Sequence, residues 1–191
     1  MLVIARRTNA AHRPAPDSGF SLIEVLITIV ILMIGLLGLA GLQTKALTAQ
    51  MESYQRSQAL VLLKDMVDRI EANHSNAASY VTTLGTGAAC PAAGGTTASQ
   101  DLNQWCSALL GAAEAQSGVG NVGAMIGARG CITQTVAPAS GVPTQYLVAV
   151  AWQGLNSTTI PSITCGQTQY GANDALRRVI ALPVNIADLL N

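Results

Sequence analysis

The chain has 191 residues; 10% are charged, half are hydrophobic, and ten basic residues balance ten acidic ones. Such a length holds one modest domain plus an extra element, and the balanced charge gives no electrostatic case for wrapping a polyanion such as nucleic acid. Phe20 is the only Phe, and Ala, Gly, Ser and Thr dominate the chain behind the N-terminal apolar run, so the core there is small and calls for covalent support.

Residues 1–19 carry Arg6, Arg7, Arg13 and Asp17, and removing them would leave seven basic and nine acidic residues, a net charge of −2. Phe20 to Leu42 then runs for 23 residues with one charged side chain, Glu24. At about 1.5 Å per residue a helix of that length reaches roughly 34 Å, enough to cross a bilayer's hydrocarbon core. The basic flank before it predicts a cytoplasmic N-terminus and a C-terminus on the far side. A secretory signal would have a shorter apolar region and a small-x-small cleavage site. A buried core helix would be shorter and less apolar. Length and polarity alone therefore fit a single-pass anchor.

Glu24 does not fit a plain anchor. A carboxylate in the bilayer costs at least about 2.5 kcal/mol, so it tends to have a partner or a task. No basic residue lies within two helical turns of it. The partner must come from another chain or be created by processing. Cleavage after Gly19 would create one, the free amine of Phe20, four residues before Glu24.

Gly19-Phe20-Ser21-Leu22-Ile23-Glu24 closely resembles the type IV prepilin cleavage motif, a glycine followed by a hydrophobic residue with glutamate fifth in the mature chain. The resemblance implies that Gly19 ends a leader peptide, that Phe20 becomes the N-methylated first residue, and that Glu24 is the glutamate used in assembly. It also implies the partners: a prepilin peptidase that is an N-methyltransferase, other minor and major pilins, and an inner-membrane assembly platform. "IGLLGLAGLQ" (34–43), "VAVAWQGL", "TCGQTQYG" and "LRRVIALPV" further resemble the minor pilins called type IV pilus modification protein PilV. Two features depart from the family pattern. The leader of 19 residues is longer than usual, and Asp17 stands between the nearest base, Arg13, and the cut.

The helix is expected to continue to about Glu71. Ala59, Leu60, Leu63, Met66, Val67 and Ile70 form one face, with Lys64, Asp65, Asp68, Arg69 and Glu71 around the other. Its first half, 20–42, is apolar all round, and its second, 43–72, is amphipathic and should pack on the chain's own head. Gly35, Gly38 and Gly41 lower helix propensity in the first half by up to about 1 kcal/mol each. They suit either close helix packing or, as the family resemblance implies, unwinding on transfer to a filament.

Residues 73–191 form the predicted head. Residues 73–100 read as loop, and Asp101 as the cap of a short helix burying Leu102, Trp105, Cys106, Leu109 and Leu110. Strand-like runs follow at 122–136, 145–153 and 177–184; the middle one, with Tyr146, Val148, Val150 and Trp152 alternating with Leu147, Ala149 and Ala151, is apolar on both faces. The expected class is α+β, an antiparallel sheet wrapped on the long helix, in agreement with the type IV pilin fold that the resemblance implies. Cys90, Cys106, Cys131 and Cys165 all lie beyond the span, which points to two disulfides in an oxidising compartment. Of the three pairings, Cys90–Cys106 and Cys131–Cys165 are favoured, because the first ties loop to helix and the second ties a strand to the loop before the last strand. Zinc would show a close C-x-x-C pair, and none is present.

Other chemistry lacks its parts. Gly118, Gly120 and Gly123 spell G-x-G-x-x-G, but between a helix and a strand, the reverse of the dinucleotide-binding order. His12 falls in the leader, and His74 suits a helix C-terminus. Arg177 and Arg178 could bind an anionic partner, but read rather as a solvated strand edge. Asn73 and Asn156 head glycosylation sequons, a weak signal. No catalytic pair, metal set or cofactor motif emerges. The sequence reads as a minor pilin, moved from the inner membrane into a type IV pilus to prime or modify its assembly in twitching motility and adhesion. The rivals are a type II secretion pseudopilin and a membrane-anchored module binding DNA or a surface.

Overall fold

A computed structural model of the chain describes residues 19–85, 87, 89–112, 115–116, 120–121, 123 and 125–187. The leader residues 1–18, His12 and Gly118 lie outside the described residues. The chain divides into two compact units, Met1–Lys45 and Ala46–Asn191.

Helix α1 spans Leu22–Ala72, 51 residues, and runs through Gly35, Gly38 and Gly41 without a break. In the first unit every described residue is exposed, as an all-apolar stretch with no partner in its own chain must be. In the second unit α1 becomes amphipathic and buries Gln55, Ala59, Leu63, Met66, Val67 and Ile70. A 3-10 segment (His74–Tyr80) and strand β1 (Thr82–Gly85) follow, then helix α2 (Thr97–Leu109). Two-residue strands β2 (Ala115–Gln116) and β3 (Gly120–Asn121) pair with each other. Strands β4 (Ile126–Val136), β5 (Thr144–Gln153) and β6 (Arg177–Ile186) complete the described elements. The main sheet has the order β1-β4-β5-β6, antiparallel throughout.

The doubly apolar pattern of β5 now has a cause, since both faces of the sheet are covered. On one face Ile132, Tyr146, Val148, Val150, Trp152 and Val184 share a core with Leu63, Met66 and Ile70 of α1 and Leu102, Trp105 and Leu109 of α2. Trp105 is fully buried, and its Nε1 donates to the carbonyl of Leu62 at 2.9 Å. It lies so close to β4 that a Cβ at Gly130 would meet its ring at 2.3 Å, so this strand position must be glycine. On the other face Cys131, Ala149 and Ala151 form a smaller core with Cys165 and Tyr170 from the loop before β6. This is the α+β arrangement expected from the sequence.

Both cores are stapled. Cys90 bonds Cys106 across 16 residues, fixing the segment after β1 to α2, and Cys131 bonds Cys165 across 34, fixing β4 to the loop over the outer face. All four cysteines are thus consumed.

Several expectations are corrected. Leu60 is 47% exposed, and Gln55 is buried in its stead. Residues 73–100 are not simply loop, because they contain the 3-10 segment and β1. Helix α2 begins five residues early: Thr96 is its cap, accepting from the Ser99 amide at 3.2 Å. Asp101 instead lies inside α2, where it accepts from Arg69 Nη1 at 2.7 Å and from the Tyr80 hydroxyl at 2.5 Å. Burial, then the bond to Asp101, pushes the Tyr80 hydroxyl up to about 12. Arg177 is not solvated; it is 1% exposed. It pairs with Asp174 at 3.3 Å and donates to the carbonyls of Pro161, Ile163 and Cys165. A buried guanidinium is tolerable because each of these groups meets its charge or its donors.

Candidate processing and assembly site

Gly19, Phe20 and Ser21 precede the first helical residue, Leu22. The Ser21 carbonyl opens the hydrogen-bond ladder, accepting from the amides of Glu24 at 3.0 Å and Val25 at 3.3 Å. The Gly19–Phe20 peptide bond therefore stands outside the helix. A side chain at Gly19 would meet nothing within 4 Å, and Phe20 is 84% exposed. A peptidase needs an unwound, reachable backbone, and this junction provides one.

Glu24 sits in the first turn of α1. There the unpaired backbone N–H groups leave partial positive charge, which favours an anion. Phe20, Glu24, Val25 and Thr28 line a shallow recess of about 290 Å³. The Thr28 hydroxyl is taken up by the Val25 carbonyl at 2.8 Å. Among the described residues Glu24 forms no ion pair. The recess thus brings Phe20, just before the helix, beside Glu24 in its first turn.

The helix behind this site is long and apolar enough to cross a membrane, and its most apolar stretch is 0% buried. Side chains built at Gly35, Gly38 and Gly41 would meet nothing within 4 Å. Whatever these glycines accommodate is not part of this chain's described structure.

In the head, one acid missed from the sequence anchors α1 to β6. Glu52 Oε1 accepts from Arg178 Nη2 at 3.1 Å and from the amides of Leu155 and Asn156 at 3.2 Å each. Burial would raise the Glu52 carboxyl, but the Asn156 amide, the Arg178 charge and the Leu155 amide outweigh it and hold the group below its usual range. Arg178 also donates to the Asn156 carbonyl and the Thr158 hydroxyl, both at 2.7 Å. A side chain at Gly154 would meet its guanidinium at 2.6 Å. The sequence offered only the charge of Glu52 in an amphipathic stretch, with nothing to name a partner 126 residues away.

The remaining candidates are spread through the head. His74 opens the 3-10 segment with Nδ1 at 3.3 Å from the Glu71 carbonyl. Asn73 is engaged by the Tyr80 hydroxyl at 3.1 Å and by Asn76 at 2.9 Å. Gly120 belongs to β3. Among the described residues, no three of His, Cys, Asp and Glu group to hold a metal ion.

Comparison with protein families agrees with this geometry. The family model for the prokaryotic N-terminal methylation motif matches residues 15–40. The model for the type IV pilin Tt1218 matches residues 41–116. Searches of curated proteins and of solved structures found no match. The first match covers the Gly19–Phe20 junction and Glu24. The second runs from the amphipathic half of α1 past α2. A methylation motif at an exposed helix start, followed by a long helix on a small antiparallel sheet, fits a membrane-anchored pilin that later joins a pilus. Residues 15–40 thus match the prokaryotic N-terminal methylation motif and residues 41–116 a type IV pilin model, and the long helix on a small antiparallel sheet is consistent with the α+β type IV pilin fold.

Proposed function

We propose that the protein is a minor pilin of a type IV pilus, of the PilV kind, which helps to prime or modify pilus assembly. The observation that carries this reading is the exposed Gly19–Phe20 junction directly before a membrane-length helix with one acid in its first turn. A prepilin peptidase cuts after Gly19 on the cytoplasmic side and methylates Phe20. The apolar half of α1 then holds the subunit in the inner membrane, with the head in the periplasm. In the filament that half packs among the helices of other pilins.

Glu24 is assigned the role of a docking group. Its carboxylate meets the Phe20 amine, of its own chain or of a neighbour. In a low-dielectric setting each charge costs several kcal/mol when unpaired. The pair therefore favours docking of a subunit still in the membrane. No step of this function asks the chain itself for catalysis, metal or cofactor.

N-terminal mass spectrometry of the native protein tests the reading. It should find a chain that begins at methylated Phe20. A chain that begins at Met1 in cells with an active prepilin peptidase would contradict it.

A further inference from the structure

Among the described residues, the other buried or half-buried arginines of the head each reach a carboxylate: Arg69 reaches Asp65 and Asp101, Arg177 reaches Asp174, and Arg178 reaches Glu52. Arg129 of β4 is half-buried as well, yet forms no ion pair with a described residue. Its Nη2 donates to the Gln169 side-chain oxygen at 2.9 Å, and its Nε is buried without an acceptor. A guanidinium taken partly out of water gains more from an anion than a fully solvated one does.

Arg129 lies in a groove of about 300 Å³ on the outer face of the sheet. Residues 129, 131 and 133 of β4 point to that face, and Thr83 of β1 stands in register with Cys131. The loop before β6 closes the other side with Thr164, Gln167 and Gln169. Two devices already described hold this loop: the Cys131–Cys165 bridge and the buried Arg177–Asp174 pair. The lining is thus preorganised, which lowers the cost of binding. Among the described residues no acid lines the groove. The hydroxyls of Thr83, Thr133 and Thr164 are hydrogen-bonded to no other described residue, so they remain available as both donors and acceptors.

We propose that this groove binds an acidic saccharide. The carboxylate sits on Arg129, whose planar fork matches it. The ring hydroxyls meet the three threonines and the Gln167 amide, which can donate and accept as a polyol requires. A single cation surrounded by neutral polar groups suits one carboxylate on a sugar better than a phosphate, whose higher charge would call for more than one base.

Isothermal titration calorimetry of the full mature chain in detergent micelles, with glucuronate, glucose and inorganic phosphate as ligands, tests the proposal. Glucuronate should bind; glucose should bind about tenfold or more weakly, the scale of one lost charge-assisted hydrogen bond, and phosphate, which has no ring hydroxyls for the threonines and Gln167, should also bind about tenfold or more weakly. Arg129→Gln should weaken glucuronate by a similar factor. Thr133→Glu keeps Arg129 and its Gln169 contact but brings a like charge to the ligand, and it should do the same; it decides alone if Arg129→Gln proves unfolded. Absence of glucuronate binding would overturn the proposal, as would equal binding of glucose. Phosphate binding as tight as glucuronate would reduce the groove to a plain anion site and overturn the saccharide assignment. Unchanged binding in the variants would place the sugar elsewhere and overturn it as well.

Discussion

Residues 22–45 and 46–72 belong to one continuous helix, yet only the second stretch buries side chains. Leu36 is 64% exposed and Leu37 73%, whereas Leu63 is 1% exposed. Residue type and backbone conformation are the same, so neither decides the difference. The surrounding pattern does: 22–45 is apolar on every side, while 46–72 confines its apolar residues to the stripe that meets the sheet. A helix without tertiary packing is marginal in water, and three glycines weaken this one further. The first stretch must therefore find its apolar surroundings outside its own chain, in lipid or in other subunits. The second finds them within the head.

The largest expected effect sets the two stretches directly against each other. Leu63→Ala should lower the unfolding free energy of the head by about 2–5 kcal/mol, the range for a buried leucine. Leu36→Ala should leave head unfolding within about 0.5 kcal/mol of wild type. Thermal or denaturant unfolding in detergent measures both, and a similar loss in each would break the comparison. A comparable effect should follow from replacing both Cys131 and Cys165 by Ser. On the chain-entropy model a closed loop of 34 residues contributes about 4 kcal/mol. The loss should appear in head unfolding and leave the amount in the membrane fraction unchanged. The smallest effect lies just past the C-terminal end of α1. Tyr80→Phe removes the hydroxyl that donates to Asp101 and should cost about 1–2 kcal/mol at neutral pH. The folded value of Tyr80, about 12, lies above its ordinary 10.0. Its stabilisation is thus complete below about pH 10 and is lost as pH rises through about 12. The Tm gap between wild type and Tyr80→Phe should hold up to about pH 10 and shrink above it; Tyr170, also pushed up to about 12, is common to both chains and cancels. A constant gap would show that the hydroxyl's bond to Asp101 is not its source.

The division of α1 was legible because charge spacing along a helix reports directly which side meets water. The paired β4, β5 and β6 were legible as apolar runs, although β5 looked ambiguous until both faces of the sheet proved covered. Strand β1 escaped notice because four residues, Thr82–Gly85, carry too short a pattern and end in glycine. The start of α2 went wrong because Thr96 and Asp101 are both good capping residues. What separates them is Arg69, 32 residues upstream, which claims the carboxylate. Arg177 looked like a surface charge because its partners are mostly carbonyls, which sequence does not display. Gly19, Phe20 and Glu24 stood out for the opposite reason: a lone acid in an apolar run conflicts with its surroundings wherever the chain goes. Arg129 gave no sign, since lacking a carboxylate is a property of the fold.

The central claim is that the first stretch of α1 serves assembly while the second serves the head. The most direct test immunoblots sheared filaments and membranes from cells that carry Glu24→Val. The account predicts wild-type amounts in the membrane and unchanged head unfolding, with the protein depleted from filaments. The pairing energy at stake, about 3–5 kcal/mol, corresponds to a loss of about a hundredfold or more. Glu24→Asp, with its shorter reach, should be partly tolerated. Wild-type amounts of Glu24→Val in filaments, with normal piliation, would contradict the account.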